Sequence, residues 1–185
     1  MGGYLRYHPP MSKSLPLQTR LREAALHYLD RYESSVQSLR RVLRRRVERW
    51  AMKNGVPVED GAHEAIEEVI TGLRRAGLVD DARYAGMKAR SLFAGGRSGR
   101  AIGAYLAARG VSAAVIGEAL ESRAEEAENP DEPDLEAALR FARKKRLGRF
   151  RPPEQRAEKR ERDMAALGRA GFSWQIAKTV VDEEM

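Results

Sequence analysis

Residues 106–120 read LAARGVSAAVIGEAL, and residues 167–181 read LGRAGFSWQIAKTVV. Aligned without a gap, they place Leu106 on Leu167, Gly110 on Gly171, Val111 on Phe172 and Ser112 on Ser173. The match continues through Val115 and Ile176, Ala119 and Val180, and Leu120 and Val181. Each shared position has a physical task. Glycine closes a helix by entering the left-handed region without a Cβ penalty. The apolar residue behind it folds back on the last turn, and the serine side chain satisfies an orphan amide of the next helix. Taken singly, this pattern is ordinary punctuation in any α-protein. Its recurrence in register marks an internal repeat.

Upstream, the same grammar returns with an insertion. Gly55-Val56 stands where Gly110-Val111 stands later, and Val58 to Gly61 lie in extra loop before Ile66, Val69 and Ile70 resume the pattern. Apolar stripes at helical spacing fill the rest of this first group. Leu21, Ala25, Tyr28, Leu29 and Tyr32 form one, and Val36, Leu39, Leu43, Val47 and Trp50 form the next, behind a cap at Ser34 or Ser35. In the second group Asp80-Asp81 caps a stripe of Tyr84, Ala85, Ala89 and Leu92, and a glycine-rich break, Gly95 to Gly99, leads to Ile102 and Tyr105. The helix after Ser112 is expected to bury Val115, Ile116, Ala119 and Leu120. The third group carries Leu135, Ala138, Leu139 and Ala142, then a proline pair at Pro152-Pro153 and a long polar helix ending on Met164 and Leu167.

The chain is therefore expected to be all-α, an elongated array of three tandem three-helix repeats resembling helix-turn-helix units. The expected divisions are a disordered arm over 1–18, repeats over 19–79, 80–128 and 135–185, and an acidic, proline-containing linker over 129–134. Trp50 and Trp174 are expected in cores or between units.

Composition agrees with small helical units. Of the 185 residues 33% are charged and only 6% aromatic, so thin interfaces rich in Ala and Leu suit the chain better than one thick core. The formal net charge is +7, a field that attracts polyanions, with arginine used for solubility as the lesser alternative. Cysteine is absent, which excludes disulfides and thiolate metal sites and suits the cytoplasm. No apolar run is long enough for a membrane span, and the arm lacks the apolar core of a signal peptide.

The candidate site residues are all basic. Arg40, Arg41, Arg44, Arg45 and Arg49 recur on one helix at spacings that stack guanidiniums on neighbouring turns, where they can meet phosphates or carboxylates. Arg143-Lys144-Lys145-Arg146, with Arg149 and Arg151, forms a second cluster. Arg97 and Arg100 flank the glycine-rich break, whose glycines would let a backbone approach a phosphate. No strand precedes that break and no Lys-Ser/Thr follows it, so it is not a nucleotide P-loop. A solvated helix face accounts for the same residues. Catalysis finds no constellation: His8, His27 and His63 are scattered, and no serine sits in a nucleophile elbow. No catalytic residue, metal or cofactor is expected.

Three strings resemble the RecX family: LHYLDRYESSVQSLRRVL at 26–43, LRRAGLVDDARYA at 73–85 and GRAIGAYLAARGVSAAVIGEALE at 99–121. GLVDDARYA is the most specific, joining a helix stop, an acidic cap and an aromatic helix start in the family's order. The resemblance spans about residues 20–183. It implies a modular array of three-helix units and a non-enzymatic regulator. The implied action is binding along a RecA filament on single-stranded DNA, with inhibition of its ATPase, strand exchange and co-protease activities. RecA, its DNA filament and DNA itself are thus the implied partners of a monomer without a membrane. Two departures stand out. The family's glycine loop carries an aromatic where this chain reads Gly96-Arg97-Ser98-Gly99, and the first unit has a basic extension from Arg44 to Lys53. A helix-turn-helix transcription regulator is the alternative. The helices after Ser112 and Ser173 begin Ala113-Ala114 and Trp174-Gln175, which offer little for reading bases.

Overall fold

The structure is a computed structural model that describes residues 15–127, 129 and 131–182. The expected arm lies outside them as far as residue 14, and Leu17 and Gln18 already belong to a helix. Among the described residues there are nine α-helices and no strand. They are α1 (Leu17–Leu29), α2 (Val36–Asn54), α3 (Ala62–Arg75), α4 (Asp81–Ala94), α5 (Gly99–Ala107), α6 (Ala113–Glu125), α7 (Glu132–Lys145), α8 (Pro153–Arg169) and α9 (Trp174–Asp182), with a 3-10 turn at Gly148–Phe150. Three tandem three-helix repeats result. None of these helices is long and apolar enough to cross a membrane.

The ends of α2, α3, α5 and α8 share one device. The amide behind each stop donates to the carbonyl five residues back: Val56 to Ala51 at 3.1 Å, Leu78 to Leu73 at 3.0 Å, Val111 to Leu106 and Phe172 to Leu167 both at 3.2 Å. The stop residue sits at positive φ, as in Gly110 at 76° and Gly171 at 96°. α7 ends the same way, with Leu147 donating to Ala142 at 2.9 Å, yet its left-handed residue is Arg146 at φ 55°. Serine restarts the chain in each repeat. The Oγ atoms of Ser35, Ser112 and Ser173 accept from the amides of Ser38, Val115 and Ile176.

The chain divides after Asp80 into two compact units. In the first, α1, α2 and α3 pack on one another around Leu21, Leu39, Leu43, Ile66, Ile70 and Leu73. Each of these side chains is withdrawn from water almost completely, worth roughly 1.5–3 kcal/mol apiece. In the second unit one continuous core runs from Tyr84 and Phe93 of α4 through Ile102 and Leu106 of α5 and Ala138 of α7 to Leu167, Ile176 and Val180. The second and third repeats thus share a core.

Three features differ from the sequence reading. α7 begins at Glu132, inside the segment expected as linker, and Pro133 is buried in its first turn, where a missing N–H costs nothing. Val115, Ile116, Ala119 and Leu120 pack against the core only half-buried, and α6 has no fully buried residue, because it lies against α4, α5 and α7 with its far side in solvent. Trp174 is 65% exposed instead of in a core, since the first position of α9 projects away from the stripe of Ile176, Ala177 and Val180.

Candidate protein and nucleic-acid interface

α2 presents the densest basic face. Arg44, Arg45 and Arg49 are exposed, and Arg41 is half-buried with its Nη2 at 3.5 Å from Ser38 Oγ. Arg40 has a different job. Its Nε and Nη2 donate to the two carboxylate oxygens of Glu67 on α3 at 2.5 and 2.7 Å, and its Nη1 donates to Gln37 Oε1. This fork holds the Glu67 carboxyl below the ordinary glutamate range, the Arg40 hydrogen bonds outweighing partial burial. Arg40 therefore ties α2 to α3, and the outward charge begins one residue later. Guanidiniums crowd this face: partial burial, with Arg49 beside it, pushes the Arg46 group below its usual range.

The second basic cluster splits in the same way. Arg143, Lys144 and Lys145, in the last turn of α7, are exposed, with the Arg143 guanidinium 5.3 Å from the centre of the Phe150 ring. Arg149 instead donates from Nη2 to the Thr179 carbonyl at 2.8 Å and from Nε to that of Val180 at 3.3 Å, capping the end of α9. Arg151 makes a two-pronged pair with Asp163 on α8, both bonds 2.8 Å long. Asp163 is only 1% exposed and also accepts from the Gly148 amide at 2.8 Å. Arg149 and Arg151 are thus spent inside the fold. They lie beside the exposed run in sequence, but their partners arrive from helices the sequence does not place.

The glycine-rich break corrects an expectation. Its backbone approaches protein, not phosphate. A Cβ on Gly96, at φ 83°, would lie 3.1 Å from the Phe141 nitrogen and 3.2 Å from the Ala137 carbonyl of α7. The Gly99 amide, at the start of α5, donates to Asp134 Oδ1 of α7 at 2.7 Å, so an internal carboxylate fills the place an anion would take. Burial, the largest influence, raises the Asp134 pKa although the Gly99 bond opposes it. Ser98, fully buried, accepts from the Ala101 amide at 3.2 Å and donates to the Ala170 carbonyl at 2.8 Å. Gly171 answers from the other side: a Cβ there would stand 2.5 Å from Ser98 Oγ. Arg97 and Arg100 remain exposed, and Arg97 and Arg109 flank the Tyr105 ring at 5.8 and 3.4 Å.

Asp163 escaped the sequence reading, although a signal was present. It lies four residues before Leu167, on the same stripe, where a carboxylate must have a partner. Arg20, 5% exposed beside Leu21 and paired with Glu59, was missed for the same reason. Among the described residues no group of three or more His, Asp or Glu side chains could hold a metal ion.

Comparisons with known proteins agree with this layout. The family model described as RecX, second three-helix domain, matches residues 80–120. The regulatory protein RecX of Myxococcus xanthus (strain DK1622) is 47% identical over 166 residues, covering 89% of this chain and 85% of that protein. The crystal structure of RecX from Lactobacillus salivarius superposes with a TM-score of 0.62 at 19% identity, over 89% of this chain and 94% of that one. A second crystal structure of regulatory protein RecX gives 0.62 at 21% identity, over 90% of this chain and 72% of that one. At such identities the two structures speak to fold alone.

Proposed function

Because the chain belongs to the RecX family, we propose that it regulates a RecA recombinase by binding the RecA filament on single-stranded DNA and inhibiting its ATPase, strand exchange and co-protease activities. Through that inhibition it modulates recombination and the SOS response. The observation that carries this reading is the near full-length identity to a regulatory protein RecX. The protein acts as a cytoplasmic monomer without chemistry of its own.

The contacts are electrostatic. Arg41, Arg44, Arg45 and Arg49 of α2 form one basic surface of the first unit, and Arg143, Lys144 and Lys145, with Arg97 and Arg100, supply cations from the second. These groups pair with carboxylates of RecA or with phosphates of the strand it coats. Arg40, Arg149 and Arg151 support the faces from inside.

The test is the DNA-dependent ATPase of the cognate RecA with this protein at less than one copy per RecA. Inhibition is expected. An unaffected ATPase at saturating protein, together with sequence-selective duplex binding, would overturn the reading.

A further inference from the structure

The loop that lengthens the first repeat is bounded at both ends by the same kind of dipeptide. Asn54-Gly55 closes α2 and Asp60-Gly61 leads into α3, and no other asparagine or aspartate in the sequence is followed by glycine. All four residues are exposed, and a Cβ on either glycine would meet nothing within 4 Å. The next amide nitrogen can therefore reach each side-chain carbonyl carbon with no side chain of its own in the way. Neither amide is held firmly. The Gly55 N–H is shared between the Ala51 and Met52 carbonyls, the latter at 3.3 Å, in a last turn of the kind that frays. The Gly61 N–H makes no bond to a backbone carbonyl of the described residues. Between these two ends, Glu59 carries the carboxylate paired with Arg20 of α1. Arg20 is only 5% exposed, its guanidinium lies 5.2 Å from the centre of the Trp50 ring, and its Nε and Nη1 are buried without hydrogen-bond partners. Among the described residues Glu59 is the one carboxylate that answers this buried cation.

We propose that this loop is a self-modification site: Asn54 and Asp60 convert to isoaspartate through cyclic imides, and the change at either end draws Glu59 away from Arg20. At Asn54 the Gly55 nitrogen attacks Cγ, a new N–C bond forms, and the side-chain nitrogen leaves as ammonia, taking the amide proton. At Asp60 the Gly61 nitrogen attacks Cγ of the protonated carboxyl, and water leaves. Water then opens either ring at one of its two carbonyls, giving aspartate or isoaspartate. The isoaspartyl α-carboxylate hangs free of the main chain, where it can accept a methyl group from S-adenosylmethionine, with S-adenosylhomocysteine as the leaving product. Conversion of Asn54 removes the N–H that donates to the Trp50 carbonyl at 2.8 Å. It also sets a negative charge at the C-terminal end of α2, where the helix dipole disfavours one. Isoaspartate adds an atom to the main chain, so the Val56 amide no longer meets the Ala51 carbonyl, now 3.1 Å away, and the loop that carries Glu59 shifts. The proposal is independent of the RecA reading, since it concerns the loop's own covalent chemistry.

The experiment ages the full chain in warm neutral buffer and maps it by proteolysis and mass spectrometry. Isoaspartate is counted by a carboxyl methyltransferase with labelled S-adenosylmethionine. The mass gain of an amide turned to an acid is expected at Asn54, and isoaspartate of unchanged mass at Asp60. Asn129 is the internal control: its neighbour Pro130 has no N–H to attack, so it should stay intact. Raising the pH should speed conversion at Asn54, because the attacking amide must lose its proton. Mild acid should speed it at Asp60, because the leaving oxygen must be protonated. Ageing should lower the melting temperature of the wild type by about 4 °C or more. Asn54→Gln with Asp60→Glu, whose longer side chains close the ring poorly, should keep its melting temperature. Glu59→Gln should melt low when fresh and fall no further on ageing, which decides the matter should the double variant fold poorly. Intact Asn54 and Asp60 in the folded chain, after a peptide of residues 50–65 has converted, would overturn the proposal. Isoaspartate with an unchanged melting temperature would overturn its link to Glu59 and Arg20.

Discussion

Replacing Asp163 by alanine removes three hydrogen bonds at once, each 2.8 Å long: two from Arg151 and one from the Gly148 amide. The amide belongs to a turn pressed against α9, since a Cβ on Gly148 would lie 2.7 Å from the Val181 Cα. The substitution thus leaves a guanidinium and a buried amide without partners and loosens the seat of α9. Breaking a buried pair by deleting one member costs about 3–5 kcal/mol. Arg151 keeps 19% of its side-chain surface in water, which recovers part of this, so a loss of about 3 kcal/mol is expected. Urea unfolding followed by circular dichroism measures it. Arg151→Ala should cost a similar amount, and the double variant clearly less than the sum, because each single variant strands the other's charge. The pH dependence has a definite sign. Burial is the largest influence on Asp163 and raises its pKa, but Arg151 and the Gly148 amide together hold it below the ordinary value. Its contribution is complete above about pH 4 and is lost as pH falls through the depressed folded-state value. Asp163→Asn should therefore remove part of the acid sensitivity along with part of the stability. A stability within about 0.5 kcal/mol of wild type for Asp163→Ala, or simple additivity with Arg151→Ala, would refute this account.

Asp134 should behave in the opposite way. Burial raises its pKa, so the neutral Asp134→Asn, which keeps an acceptor for the Gly99 amide, should match or exceed wild-type stability at neutral pH in thermal melts, while Asp134→Ala should lose about 1 kcal/mol. Arg146→Gly relieves the left-handed strain at the end of α7 and should raise stability by about 1 kcal/mol, read as a higher melting temperature. Gly171→Ala drives a methyl group into Ser98 Oγ at a positive φ and should cost more than about 2 kcal/mol in urea unfolding. Arg41→Glu with Arg45→Glu should leave helicity intact and weaken both inhibition of the RecA ATPase and its salt sensitivity; unchanged inhibition removes α2 from the contact surface.

The repeat was legible because it is local. A glycine, an apolar residue and a serine act on their own helix ends, and Gly110-Val111-Ser112 and Gly171-Phe172-Ser173 make the same bonds in the structure as in the sequence reading. Arg146 shows the limit of that rule: the same local helix stop, with Leu147 bonded back to Ala142, is made there by an arginine in the left-handed region. The basic faces were only half legible. Helical spacing put Arg40 beside Arg41, but not Glu67 across from Arg40, just as it could not bring Asp163 to Arg151 or the end of α9 to Arg149. Which arginine faces outward is decided by carboxylates and carbonyls from other helices, and one helix's periodicity carries no information about them.

The joint formed by Ser98, Gly171, Gly96 and Asp134 bears on how such a chain can be shortened or rearranged. A duplicated segment is often pictured as a bead that can be removed or added. Here the second and third beads have been welded. One serine both starts α5 and holds the carbonyl before Gly171, and one aspartate of α7 occupies the first amide of α5. A chain ending before α7 would bare Ile102 and Leu106 on one side and lose the carboxylate that α5 depends on, so it should unfold with the missing half rather than survive it. In the second unit the element of duplication is one repeat, whereas the smallest piece that can melt cooperatively is two.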